Sequence, residues 1–160
     1  MEYQKKSYHM EAVCGSAHYQ IAAYWSRVLN KPAIKAYQAS RRGIVLTANS
    51  TAKQKGVKTG QALWQAKSAC PDLVVVPPRM ELYLQFSSML REIYGEYTDL
   101  VEPYGCDEAW LDVTGSTALK GDEKKIADEI RSRVKKELGI TVSIGISWNK
   151  IFAKLGSDYK

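Results

Sequence analysis

Several features that would assign a protein to a special class are missing from this sequence of 160 residues. It has no apolar run of about 18 residues, the length that a membrane-spanning helix requires. Residues 1–6 lack the apolar core of a secretory signal peptide. These absences predict a cytoplasmic protein that has no membrane partner.

Cysteine and histidine are also scarce. Cys14, Cys70 and Cys106 are far apart and form no CxxC pair, which excludes a disulfide framework and a cysteine-based zinc site. We expect each of the three thiols to be buried. The two histidines, His9 and His18, are interpreted as structural or surface residues rather than as a metal-binding pair.

Basic residues are in surplus. The chain has 23 Lys and Arg against 17 Asp and Glu, a formal net charge of +6. Such a surplus favours a polyanionic partner such as nucleic acid, but only weakly, because ordinary basic surfaces carry similar charge.

Helical periodicity is clearest in the second half of the chain. Apolar residues recur at helical spacing over residues 82–97 and 126–138. Asp122 can cap the second of these helices, and Gly139 can end it. A last helix is predicted to begin near Asn149.

Strand patterns alternate with these helices. Residues 100–104 and 109–113 are short strand candidates on either side of a turn at Gly105, and residues 140–147 alternate apolar and polar side chains. The second half therefore predicts a hairpin, a helix, a strand and a helix. This order is typical of an α+β fold with helices on one face of the sheet.

The first half contains shorter elements. We predict a helix over residues 19–29, a strand at 44–46, a helix that begins near residue 59 and runs to 69, and a strand at 73–76. The segment at 43–77 is interpreted as a small inserted subdomain.

Three carboxylates occur within six residues at the start of one predicted strand: Asp107, Glu108 and Asp112. Adjacent residues on a regular strand point to opposite faces. Asp107 and Glu108 can therefore converge only at an irregular strand start, which Gly105 permits. Two convergent carboxylates suit Mg²⁺. The alternative, a solvated acidic turn, is equally compatible with the spacing alone.

Several motifs in order along the chain give a resemblance to a known family. The stretch 105–115 resembles the second carboxylate motif of the Y-family (translesion, DNA polymerase IV or UmuC-like) DNA polymerases. Residues 143–158 are similar to that family's next signature, and 43–49, 56–60 and 70–72 fall where the family has similar strings.

The resemblance implies a ferredoxin-like palm sheet with helices on one face and a small inserted fingers subdomain. On this basis the palm comprises residues 1–30 and 78–160, and the fingers comprise 31–77. The thumb and the little finger of the family are expected to be absent, so a sliding clamp is not an expected partner.

The resemblance also implies chemistry, which is two-metal nucleotidyl transfer onto a primer 3′-hydroxyl. Asp107 and Glu108 match the catalytic, metal-binding carboxylates, with two Mg²⁺ ions implied. Lys154 matches a lysine that contacts the triphosphate, and Lys53 replaces an arginine that makes such a contact in the family. Asp112 is given a structural role. The implied partners are primer–template DNA and a deoxynucleoside triphosphate.

The sequence departs from the family in its N-terminal motif. His9 stands at the position of the first metal-binding aspartate, and Cys14 at that of the aromatic residue that rejects ribonucleotides. No aspartate precedes Asp72, and Ser50 replaces a tyrosine. Either the site is degenerate, or residues 1–29 are unrelated sequence.

Three hypotheses about function follow. The first is a palm-and-fingers fragment of a lesion-bypass DNA polymerase with impaired catalysis. The alternative is a non-catalytic DNA- or protein-binding module that keeps the palm fold. A third, a basic α+β protein that binds RNA or nucleotides through its sheet, is disfavoured by the ordered motifs.

Overall fold

A computed structural model describes residues 9–13, 31–36 and 43–159 of the chain. These residues form two compact units, one of residues 9–13 and 81–159 and the other of 31–36 and 43–80. The predicted helix at 19–29 lies outside the described residues. The division into palm and fingers stays a prediction.

The elements of both units are numbered here in chain order. The strands are β1 (His9–Val13), β2 (Ala33–Ala36), β3 (Val45–Ala48), β4 (Val74–Val76), β5 (Val101–Tyr104), β6 (Glu108–Asp112) and β7 (Ser143–Ser147). The helices are α1 (Ser50–Gln54), α2 (Leu63–Ala69), α3 (Met80–Gly95), α4 (Thr117–Lys120), α5 (Glu123–Arg133) and α6 (Lys150–Asp158), with a π-helical turn, Val134–Leu138, directly after α5. No helix in the described ranges is long and apolar enough to cross a bilayer.

The first unit contains a four-stranded antiparallel sheet in the order β5-β6-β1-β7. Alternate residues of β6, Ala109 and Leu111, are buried. The predicted strand at 140–147 begins only at Ser143, because its neighbour β1 pairs with residues 143–147 alone. Ile140 and Val142 are buried without joining the sheet.

Helix α5 forms where its sequence predicts it. Ile126, Ile130 and the following Val134 lie on one stripe and are fully buried, as an amphipathic helix requires. The Asp122 carboxylate accepts a hydrogen bond from the Lys125 N–H at 2.7 Å and caps the helix. Gly139, with φ of 68°, ends the π-helical turn in the left-handed conformation.

Helix α6 packs very closely on β7 because glycine stands at the contact on both elements. A Cβ at Gly145 would meet the backbone of Ala153, Gly156 and Ser157. Asn149 caps the helix by accepting from the Phe152 N–H at 2.9 Å. The close approach holds the polar side chains of α6 near the sheet.

The second unit has a three-stranded sheet in the order β3-β2-β4, with β2 antiparallel to β3 and parallel to β4. Buried Asn49 connects its parts. The side-chain oxygen accepts from the N–H groups of Ala33 and Ala52, and its amide donates to the Lys31 carbonyl. The small apolar core of the second unit is formed by Ile34, Ala36, Val45, Ala48, Ala52, Val57, Leu63, Ala66, Cys70 and Leu73.

The α+β class and the order hairpin, helix, strand, helix are confirmed. The expected burial of the thiols is confirmed for Cys70 but is wrong for Cys106, which is only partly buried because it stands in the turn of the hairpin. Cys14 lies outside the described residues.

Candidate active site

The hairpin between β5 and β6 presents the two adjacent carboxylates. Tyr104 and Glu108 are paired, so residues 105–107 form the turn. Gly105 has φ of 68°, a conformation that L side chains rarely adopt. Asp107 is therefore the last residue of the turn, and Glu108 is the first residue of β6. This arrangement agrees with the irregular strand start that the sequence predicts.

An ion pair joins this hairpin to α6. The Lys154 ammonium lies 2.9 Å from a carboxylate oxygen of Glu108, and 3.4 Å from an oxygen of Asp158 one helical turn further on. The Lys154 and Glu108 side chains are 32% and 20% exposed, so solvent screens their attraction less than that of a surface pair. The structure thus brings together residues from two motifs that are 46 positions apart.

Cys106 does not add a strong sulfur ligand beside the two carboxylates. Its sulfur lies 4.0 Å from an Asp107 carboxylate oxygen. Burial, and then the Asp107 charge, raises the pKa of the Cys106 thiol. At neutral pH the group therefore stays a thiol, which is a poor metal ligand compared with a thiolate.

The carboxylate pair fits one mode of Mg²⁺ binding. Among residues 9–13, 31–36 and 43–159, no group of three or more His, Cys, Asp and Glu is arranged to hold a metal ion. Mg²⁺, however, is commonly held by one or two carboxylates together with water and substrate phosphates. The oxygen donors of Asp107 and Glu108 suit that mode.

Strand β1, which neighbours this hairpin, does not pair His9 with the carboxylate end of β6. Val13 is the β1 residue paired with Glu108, whereas His9 pairs with Asp112 at the other end of β6. Four residues of strand separate the two positions by about 13 Å. Cys14 lies outside the described residues.

The two remaining residues of the sequence prediction have separate positions. Lys53 is exposed in the last turn of α1, in the second unit. The Asp112 side chain accepts a hydrogen bond from the Thr114 N–H at 3.0 Å, which agrees with a structural role.

Sequence reasoning missed Asp158 and the polar groups around Lys150. Lys150, Lys154 and Asp158 are spaced four residues apart on α6, and this helical spacing was a usable signal. Lys150 pairs with Glu102, and its ammonium lies 5.8 Å from the centre of the Trp110 ring. Lys150, Glu102 and Trp110 line a cavity of about 380 Å³. The other residues that line it are Asp99, Leu100, Val101 and Asp112.

Solved structures share this architecture. The chain matches the insertion ternary complex of Dbh DNA polymerase with a TM-score of 0.76 and 28% identity, over 94% of this chain and 45% of that one. It matches DinB from Sulfolobus solfataricus with a TM-score of 0.77 and 29% identity, with the same coverage. Both neighbours have the palm-like fold of a DNA polymerase.

The chain belongs to the impB/mucB/samB family of Y-family DNA polymerases, whose family model matches residues 17–158. A DNA polymerase IV of Acetivibrio thermocellus is 59% identical over 120 residues, 75% of this chain and 30% of that protein. A DNA polymerase IV of Ectopseudomonas mendocina is 40% identical over 157 residues, 98% of this chain and 44% of that protein. The chain thus spans less than half the length of these relatives. The family match begins at residue 17, after strand β1.

Proposed function

We propose that the chain is the palm-and-fingers portion of a lesion-bypass DNA polymerase, which transfers a nucleotide onto a primer 3′-hydroxyl. The contact between Glu108 and Lys154 carries the proposal, because it joins a carboxylate motif to a basic helix. Support comes from relatives named DNA polymerase IV and from the Dbh structures, one of which is an insertion ternary complex.

Each residue has a role that follows from its chemistry. Asp107 and Glu108 offer hard oxygen ligands at a fixed hairpin, and Lys154 and Lys53 offer flexible point charges suited to phosphate. Divalent magnesium bound at the carboxylates would lower the pKa of the primer hydroxyl and organise the triphosphate. Primer–template DNA and a deoxynucleoside triphosphate are the proposed partners.

Catalysis by this chain is proposed to be weak. Two-metal transfer needs enough anionic ligands to hold both cations, and valine, which stands at the β1 position paired with Glu108, has no anionic side chain. Extension of a primer with Mg²⁺ should therefore be near background. The same observation favours the second candidate, a non-catalytic DNA-binding module that keeps the palm fold.

Nucleotide binding tests the proposal without requiring turnover. We expect Mn²⁺–deoxynucleoside triphosphate to bind the full chain, with affinity reduced about tenfold or more by Asp107→Asn and by Glu108→Gln. Glu102→Gln is the matched control, since it also removes a carboxylate from the hairpin strands but lies in the pair with Lys150. Equal nucleotide binding by all four proteins would refute a polymerase site at Asp107 and Glu108.

DNA binding and primer extension separate the two candidates. Salt-sensitive DNA binding without nucleotide binding would support the non-catalytic module. Robust extension with Mg²⁺ that is abolished by Asp107→Asn would support the polymerase and would refute the expected impairment.

A further inference from the structure

We infer that the Lys154 ammonium, by pairing with Glu108, competes with the divalent cation for that carboxylate. Asp158 is then the positioning residue with which Lys154 pairs when the cation binds. This inference rests on the proposed metal site at Asp107 and Glu108. It assigns a role to Asp158 and gives Lys154 a second role beside contact with the triphosphate.

Glu108 and Asp158, which both pair with Lys154, differ in their distance from the ammonium and in their exposure. Glu108 lies at 2.9 Å and is 20% exposed, whereas Asp158 lies at 3.4 Å and its side chain is 60% exposed. The closer, less screened carboxylate holds the ammonium more strongly. In the metal-free chain Lys154 therefore favours Glu108, with Asp158 as the weaker partner already within reach.

The charges of the group favour an exchange. Asp107 and Glu108 are both carboxylates, so a divalent cation bound to them would carry the same sign of charge as the Lys154 ammonium. When a cation binds Asp107 and Glu108, the ammonium is repelled from Glu108, and a short movement along α6 keeps it paired with Asp158.

The stability of the helix does not explain why Asp158 stands where it does. Asp158 is the last residue of α6, and a negative charge at a helix C-terminus is unfavourable. The order Lys154 before Asp158 at four-residue spacing is also the weaker orientation of an i,i+4 ion pair. A role in holding Lys154 accounts for the carboxylate better than helix stabilisation does.

The experiment measures Mn²⁺ affinity of the full chain by calorimetry, without nucleotide, so that phosphate contacts do not contribute. Lys154→Met should tighten Mn²⁺ binding about tenfold, the lower end of what groups behind the metal ligands typically control. Lys150→Met is the control for lost positive charge, because Lys150 lies one turn earlier on α6 and pairs with Glu102 instead. It should change the affinity much less.

Asp158 is tested in both backgrounds. Asp158→Asn should weaken Mn²⁺ binding about twofold in the parent, as expected for loss of an exposed i,i+4 pair, and should have no effect once Lys154→Met is present. A purely structural role would instead lower the melting temperature and leave the affinity independent of the Lys154 background.

Each outcome decides the inference. Equal effects of Lys154→Met and Lys150→Met would overturn it, as would additive effects of Lys154→Met and Asp158→Asn. If neither the parent nor Lys154→Met binds Mn²⁺, or if Mn²⁺ binding survives Asp107→Asn, the proposed metal site fails and the inference fails with it. If Mn²⁺ binds and Asp107→Asn abolishes the binding, the proposed site stands, and the comparison of the Lys154 and Lys150 variants alone decides the inference.

Discussion

Substitution of Gly145 by alanine should destabilise the first unit strongly. A Cβ at this position would lie 2.9 Å from the Gly156 carbonyl carbon, and still nearer to the Ala153 oxygen and the Ser157 nitrogen. Ordinary contacts begin at 3.4 Å, so the Gly156 contact alone would require α6 to move by 0.5 Å, and the nearer Ala153 oxygen would require considerably more. Main-chain atoms in a packed interface cannot give way as flexible side chains do.

The expected cost is about 3 kcal/mol, the upper part of the usual range for overpacking. For a chain of this size it corresponds to a melting temperature lower by roughly 6–12 °C. Thermal unfolding followed by circular dichroism measures this shift. Gly115→Ala is the matched control, because nothing lies within 4 Å of a Cβ there and φ is not positive. Equal melting temperatures for the two variants would refute the close contact between α6 and β7.

Three further predictions concern other parts of the molecule. Asn49→Ala should cost about 2–4 kcal/mol in urea unfolding, because a helix cap is lost and buried N–H groups lose their acceptor; an unchanged midpoint would contradict this. The hydrogen bond from Lys55 lowers the pKa of Asp72, so the pair stabilises the fold above about pH 4 and its contribution is lost as the pH falls further. The difference in the free energy of unfolding between the parent and Lys55→Met should therefore narrow below that pH. A difference that stays constant with pH would contradict the ion pair. Val13→Asp should tighten Mn²⁺ binding, and His9→Asp should not, because only residue 13 pairs with Glu108; the reverse result in calorimetry would show that the β1 register is wrong.

Elements with a complete local signal could be predicted from the sequence. Helix α5 and the π-helical turn that continues it have a cap at Asp122, an apolar stripe and a stop at Gly139, and all three are found. Helix α6 begins at its capping residue Asn149, as predicted. The site was predictable to the extent that ordered motifs connect Glu108 with Lys154.

Elements that depend on distant partners could not be predicted in this way. Strands β1 and β2 have five and four residues and form because neighbouring strands offer hydrogen bonds. The same dependence explains why Ile140 and Val142 are buried outside β7, although their alternation continues that of the strand. Local periodicity gives the tendency to form a strand, and the partner determines where pairing starts.

The first carboxylate motif illustrates this limit most clearly. The resemblance places His9 at the position of the first metal-binding aspartate, yet the register pairs His9 with Asp112 and Val13 with Glu108. A shift of four residues preserves the two-residue period of a strand. The apolar pattern therefore does not distinguish a strand in which residue 9 pairs with Glu108 from one in which residue 13 does. Only the pairing between the strands distinguishes them. Position 9 lies about 13 Å along β1 from position 13, the residue that pairs with Glu108.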